Sequence, residues 1–353
     1  MLTLVVAGLG VGAARAQPPD PTAGLTLPQL VGQRMIYSYE GTRLPAALVR
    51  RVGRGEVAGI ILFADNVGSR AGLRATLRRL QAIRRPRGLG APLLVMIDQE
   101  GGQVKRLRGA PTYSPAQLGR IGSTSLARAQ GRATAANLRG VGINVDLAPV
   151  VDVGRPGTFQ QVTQRSYSSD PRVASRMAAA FVGGLQAGGV AATLKHFPGL
   201  GTIRRNEDDV AQRVGLSLGT LRRIDEAPFA AGIAAGARLV MTSTAIYPAL
   251  SPRPAMLSSA VSTTELRGHL GFRGVSVTDD VTVRGLAPFG NPATLGLAAT
   301  RAGNDLLLYA GGYASASASA DALVRTARAG RLDIAALRAS VARVLALRAG
   351  LPR

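Results

Sequence analysis

"VAATLKHFPGLGTIRRNEDD", residues 190–209, passes from an apolar run into a charged loop. Its first residues read as a buried strand with Lys195 and His196 at the end. The chain then turns through Pro198, Gly199 and Gly201 and finishes on Glu207, Asp208 and Asp209. A strand that hands over to a charged loop is the arrangement in which β/α barrels keep their chemistry.

Working outward, seven more apolar runs have strand character: "QRMIYSY" (33–39), "VAGIILFA" (57–64), "PLLVMID" (92–98), "GINVDLAPVVDV" (142–153), "ARLVMTST" (237–244), "GVSVTDD" (274–280) and "NDLLLYA" (304–310). Most are bounded by Gly, Pro or Asn. Between them lie stretches such as "RAGLRATLRRLQAIRR" (70–85) and "SRMAAAFVGGLQAGG" (175–189), whose apolar residues recur at helical spacing. Strands alternating with helices imply parallel strands joined by crossovers. Eight of them predict a single-domain (β/α)8 TIM-type barrel rather than an open sheet.

The runs also end in polar groups: Asp65-Asn66, Asp98-Gln99-Glu100, Lys195-His196, Thr242-Ser243-Thr244 and Thr278-Asp279-Asp280. A barrel gathers such ends on one face, more of them than the switch point of an open sheet would collect. The last stretch, 320–350, reads as two helices completing the outer ring.

Composition narrows the function classes. A chain of 353 residues that is 46% hydrophobic supports one large core. The net charge of +23 is spread along the sequence, almost all of it on Arg, and only Lys105 and Lys195 are lysines. Aromatic residues make up 4% with no Trp, too few for stacking on single strands, so no nucleic-acid partner is expected. Attraction to an anionic cell envelope is compatible with the charge.

With no Cys, thiolate sites and disulfides are excluded. His196 and His269 are the only histidines and form no ligand-spaced cluster, so neither metal nor cofactor is expected. Residues 1–16, with an apolar run from Leu2 to Val11 followed by Ala14-Arg15-Ala16, read as a secretory signal, and 17–27 as a polar leader before a barrel spanning 28–353. That reading implies an exported protein. No stretch is long enough to span a bilayer.

"VMIDQEGGQVKRL", "GINVDLAPVVDV", "VTQRSYSSDP", "LKHFPGLG", "MTSTAIYPAL" and "LGFRGVSVTDD" occur in an order and spacing that resemble the barrel of glycoside hydrolase family 3, especially its single-domain β-N-acetylhexosaminidases. The resemblance implies a retaining glycosidase acting on a carbohydrate, with one carboxylate attacking the anomeric carbon and a second group protonating the leaving oxygen. The family's nucleophile falls on Asp279, and Asp280 reads as a cap or support. By the same resemblance Asp98, Arg106, Arg165, Lys195 and His196 contact the sugar.

The resemblance breaks in the opening stretch. Those hexosaminidases read K-H-F-P-G-H-G-D-T-x-x-D-S-H, the last Asp and His forming the acid/base dyad. Here Leu200, Asn206 and Asp208 stand where the internal His, the dyad Asp and the dyad His belong, and Thr244 replaces a further His. Two readings follow. In one, Asp208 supplies the proton, with Glu207 or Asp209 as alternatives, since close carboxylates raise one another's pKa. In the other, the barrel binds cell-wall sugar without turning it over. Terminal β-linked N-acetylglucosamine is the expected sugar, peptidoglycan-derived or chitin-like oligosaccharides the expected source, and β-glucosides or β-xylosides the alternatives.

Overall fold

A computed structural model describes residues 20–352. The expected signal segment 1–16 lies outside them. Of the polar leader, the Asp20–Ala23 turn is described: Thr22 is buried, and its carbonyl accepts from Arg338 Nη1 at 2.6 Å. Thr26 then caps the first helix, Leu27–Gly32, reciprocally with Gln29.

The strands are β1 (Met35–Tyr37), β2 (Gly59–Leu62), β3 (Leu94–Ile97), β4 (Gln99–Gly101), β5 (Val104–Lys105), β6 (Val145–Asp146), β7 (Ala191–Phe197), β8 (Leu239–Thr242), β9 (Val275–Asp280) and β10 (Leu306–Tyr309). Eight of them close a parallel barrel in the order β1-β10-β9-β8-β7-β6-β3-β2, while β4 and β5 form a separate hairpin. Each barrel strand falls within one of the eight apolar runs. The runs are nearly continuously apolar because both strand faces are buried, one in the barrel interior and one under the helices.

The interior is filled by Ile36, Ile61, Met96, Val145, Leu239, Val277 and Leu308, packed as one cluster. A larger cluster lies between strands and helices. Helix Pro171–Ala187 shows how the outer layer forms. Asp170 caps it, Pro171 opens it, and Ala174, Met177, Ala178, Phe181, Val182 and Leu185 put one apolar stripe inward. It lies so close to helix Thr124–Arg139 that a Cβ on Gly184 would stand 2.0 Å from the Arg128 carbonyl oxygen.

The final helices divide the labour differently from the expectation. Tyr313–Arg328 packs in the outer ring. Ile334–Ala349 instead closes the barrel floor, since Val344, Leu347 and the following Leu351 join the interior cluster. The cause is polar as well as apolar. Arg348 on this helix is fully buried and donates to the carbonyls of Leu89, Ala91 and Pro92, just before β3, and to Gln33, just before β1. Arg343 and Ser340 bind Asp305, just before β10. These are N-terminal strand ends, so the opposite mouth is left for chemistry.

Candidate active site

The C-terminal mouth encloses a cavity of about 400 Å³, a size suited to a small ligand. Asp98, Arg106, Arg165, Lys195, His196, Asp208 and Asp279 all line it, as do Glu207 and Asp280, whereas Asp209 does not. Not every polar strand end reaches it. Asp65 accepts from the Gly41 N–H and Asn66 from the Phe63 N–H, so this pair organises its own loop. Thr242 turns to Asn304, Ser243 caps Ala245, and Thr244 is buried outside the cavity lining. A second cavity, about 460 Å³, lies beside the residues that precede β3 and β6 and is walled by Arg74, Arg78, Arg85 and Arg139. It has no carboxylate in its lining and so lacks acid/base equipment.

Lys195 is held by two carboxylates, its Nζ 2.6 Å from Asp98 Oδ1 and 2.7 Å from Glu100 Oε1. Glu100 also receives a two-pronged grip from Arg165, with Nε to Oε2 at 2.8 Å and Nη2 to Oε1 at 2.9 Å. Burial works to raise the Glu100 pKa, but the two cations outweigh it and hold the carboxyl below its usual range. Burial works against the Lys195 charge, which Asp98 and Glu100 more than restore. Gln164, just before Arg165, sits at φ 59°, the one non-glycine residue with positive φ among those described. The N–H groups of Arg165 and Ser166 both donate to the Gln160 carbonyl, which holds this bend in place.

Arg106 is positioned by a side chain the sequence analysis left without a role. Gln99 donates to the carbonyls of Leu107 and Ala110 and accepts from the N–H groups of Arg106 and Leu107. The loop after the β4–β5 hairpin is thereby tied back to the start of β4, two residues beyond the end of β3. Arg106 Nε is buried with no acceptor among the described residues, so this donor is free for a ligand.

His196 at the end of β7 pairs with Asp152, Nδ1 to Oδ2 at 2.8 Å. Its Nε2 stands 3.5 Å from Arg165 Nη2. At the end of β9 the two aspartates differ. Asp280 accepts from the N–H groups of Thr282 and Ala310 and from the Thr282 hydroxyl, a structural role. Among the described residues Asp279 accepts only from the Asp280 N–H, at 2.8 Å. Burial, reinforced by the charges of Asp208 and Glu207 against the opposing pull of His196, pushes Asp279 up to about 7.

The 206–209 loop separates its three carboxylates. Asp209 is exposed and paired with Arg284 at 2.7 Å, outside the cavity lining. Asp208 sits exposed at the cavity rim, its pKa raised by desolvation against the opposing influence of His196 and Arg165. Glu207 turns inward and is buried, its Oε2 without a partner among the described residues, and desolvation with the Asp208 charge pushes it up to about 8. Asn206 also lines the cavity, whereas Leu200 is wholly buried in the core.

Ligand-type atoms of His196, Glu207 and Asp279 lie within 4.8 Å of one another. The Arg165 guanidinium beside the imidazole already supplies positive charge there, which disfavours a metal cation. Sequence reasoning missed Glu100 and Asp152 as site residues. Both had a visible signal: Asp152 directly follows Val150-Val151, and Glu100 closes the polar Asp98-Gln99-Glu100 end of an apolar run.

A closed parallel barrel whose C-terminal mouth holds two carboxyl groups with raised pKa beside a network of charged and polar groups is the build of a barrel glycosidase. The chain belongs to glycosyl hydrolase family 3, whose N terminal domain profile matches residues 27–347. It is 37% identical over 339 residues to an "Uncharacterized secreted glycosyl hydrolase" of Arthroderma benhamiae, covering 94% of this chain and 96% of that one. To a "Beta-hexosaminidase" of Stenotrophomonas maltophilia it is 38% identical over 255 residues, covering 70% and 74%.

Among solved structures, the β-N-acetylhexosaminidase of Beutenbergia cavernae superposes with a TM-score of 0.85 at 32% identity, over 92% of this chain and 99% of that one. A family 3 β-N-acetylglucosaminidase of a Paenibacillus species superposes with a TM-score of 0.87 at 35% identity. The match covers 93% of this chain but spans less than two thirds, 63%, of the Paenibacillus chain. Among the described residues no helix is long and apolar enough to cross a membrane.

Proposed function

We propose that the protein is an exported retaining β-N-acetylhexosaminidase that removes a terminal β-linked N-acetylglucosamine through a covalent intermediate on Asp279. The observation that carries this reading is the pairing of a cavity-lining Asp279 with Glu207, their nearest ligand-type oxygens within 4.8 Å. Carboxyl groups about 5–5.5 Å apart suit retention, whereas inversion needs a wider gap to seat water. Export rests on the leader pattern and on the secreted relative.

In the first half-reaction Asp279 bonds to the anomeric carbon, the glycosidic bond breaks, and its oxygen takes a proton from the acid. In the second, the same group accepts a proton from water, the water oxygen bonds to the anomeric carbon, and Asp279 leaves. The salt-bridged Asp98 and Lys195 have the chemistry to hold sugar hydroxyls, and Arg106 and Arg165 add donors at the cavity wall.

Asp208 is one proton source, since it stands at the rim through which a leaving group departs. Glu207 is favoured by a different observation: it is buried, unpartnered at Oε2 and held largely protonated at neutral pH. Supporting N-acetylglucosamine are the names of the relatives; peptidoglycan or chitin-like oligosaccharides are the sources in view.

The test compares two aryl β-N-acetylglucosaminides, one with a good and one with a poor leaving group, in wild type, Asp208→Asn, Glu207→Gln and Asp279→Ala. The true acid's variant loses far more rate on the poor leaving group. Asp279→Ala loses both, and a slow substrate leaves a glycosyl adduct on Asp279 by mass spectrometry. Ordinary rates in Asp279→Ala remove it from the role. Turnover of β-glucosides or β-xylosides instead reassigns the sugar, and binding without any adduct makes the barrel a sugar-binding protein.

A further inference from the structure

His269 has no part in the reaction proposed above, yet it is one of only two histidines in the chain. It ends the wide-wound helix Ala260–His269, which packs outside the barrel ahead of β9. Glu265 lies four residues earlier on the same face, its Oε1 3.9 Å from His269 Nε2. From the neighbouring segment, Glu226 joins the short wide-wound turn Leu221–Asp225 to helix Ala227–Ala234. One ligand-type atom from each of Glu226, Glu265 and His269 falls within 4.8 Å of the other two.

Glu226 is the anomaly. It is 1% exposed, and neither of its carboxylate oxygens has a hydrogen-bond partner among the described residues. A buried carboxylate left without donors carries a large desolvation cost, so a partner is called for. Glu265 cannot be that partner as an anion, being equally buried and of the same charge. Arg222 hydrogen-bonds Glu265, with Nε to Oε1 at 2.6 Å and Nη2 to Oε2 at 2.9 Å, and reaches Glu226 only through its charge. Two carboxyl groups face one guanidinium, and burial together with Glu265 pushes Glu226 up to about 8, so the second group needs either a proton or a cation, and an imidazole stands beside it.

We propose that Glu226, Glu265 and His269 bind a zinc-class divalent cation, with water completing the coordination, and so tie helix Ala260–His269 to the 221–234 segment. The donor set selects the class. Imidazole with carboxylates suits zinc and its neighbours, whereas magnesium and calcium favour oxygen donors throughout. Ligand atoms about 2.0–2.2 Å from a tetrahedral metal stand about 3.5 Å apart, so the present spacing needs only a modest contraction. His269, with a side chain 43% exposed, has room to make it. Arg222 would retain Glu265 Oε2, the outer hydrogen bond that metal-binding carboxylates commonly keep.

Zinc chloride is titrated into the metal-stripped full chain by calorimetry, alongside His269→Ala and Glu226→Gln, with retained metal counted after dialysis. The expected result is one zinc per chain, bound at least ten-fold more weakly by each variant, with a zinc-dependent rise in melting temperature that both variants lack. X-ray absorption of the zinc-loaded protein should show one imidazole among light-atom ligands. Sugar hydrolysis by both variants should match wild type, which separates this site from the reaction. Absence of zinc binding by wild type overturns the proposal and leaves Glu226 to carry a proton. Undiminished binding by the variants also overturns it, and inhibition of hydrolysis would then place the metal in the sugar cavity.

Discussion

Asp152 holds His196 from two sides: its Oδ2 receives Nδ1 of the ring at 2.8 Å, and its Oδ1 receives the His196 backbone N–H at 3.2 Å. The same Oδ1 accepts from the Leu200 N–H at 2.8 Å, so one buried carboxylate orients the imidazole and anchors the loop that leads to Glu207. Because a carboxylate only accepts, Nδ1 must carry the hydrogen, which leaves Nε2 facing Arg165.

Asp152→Asn should therefore loosen the ring and the loop together. An amide can donate as well as accept, and the tautomer is no longer imposed. A loss of about 10- to 100-fold in kcat/KM with an unchanged far-UV spectrum is expected, the size typical of misplaced active-site groups. Wild-type kinetics would show that the orientation of His196 is immaterial to the reaction.

Glu100→Gln should destabilise the fold at neutral pH by about 3–5 kcal/mol, because it leaves Lys195 and Arg165 buried without their shared anion. The Glu100 pKa is depressed in the folded state, so its stabilising contribution is complete above its unfolded value of about 4.3 and declines as pH falls through the lower folded value. The gap between wild type and variant in urea unfolding should be widest at neutral pH and narrow in strong acid.

The pH–rate profile should be a narrow bell. With Asp279 as the proposed nucleophile, activity rises as it loses its proton near about 7, since only the carboxylate can attack. If Glu207 is the acid, activity falls again as it ionises near about 8. The two groups are close enough to titrate as a coupled system, so the limbs report the pair. Glu207→Gln should remove the alkaline limb with an activated leaving group; if the limb persists, the proton comes from another group, Asp208 foremost.

Glu207 should also cost stability. Its pKa is higher folded than unfolded, so the folded state binds the extra proton and stability declines as pH rises from the unfolded value, about 4.3, towards the folded value. Glu207→Gln should raise the melting temperature at alkaline pH and change it little in acid. A lower melting temperature at alkaline pH would mean that the carboxylate is better solvated than its burial indicates.

Gly201→Ala should disturb the loop through contact alone, since its φ is not in the left-handed region. An added Cβ would stand 1.9 Å from the Val153 carbonyl oxygen, and the Gly201 carbonyl accepts from the Arg155 N–H at 3.0 Å. A destabilisation of about 1–3 kcal/mol by overpacking and a fall in kcat are expected. Unfolding and turnover at wild-type levels would show that the loop can shift without consequence.

The sequence by itself determined the barrel and the floor of its cavity. Strand and helix periodicities are local, and each buried parallel strand is written as an uninterrupted apolar run. Asp98, Lys195, His196 and Asp279 were legible for the same reason, as polar residues closing such runs. Which way neighbouring carboxylates point is not local. Glu207, Asp208 and Asp209 are adjacent, yet the loop buries the first, leaves the second at the rim and hands the third to Arg284, 75 residues on. Asp152 and His196 are 44 residues apart, and Glu100 meets Arg165 across 65. The apolar pattern of residues 334–349 fitted an outer-ring helix; the pairing of Arg348 with carbonyls more than 250 residues away, with Arg343 and Ser340 on Asp305 and with Val344 and Leu347 in the interior cluster, sent it under the barrel. Tertiary structure decided these matters because a hydrogen bond or ion pair is specified by two partners at once, and one strand of sequence displays only one of them.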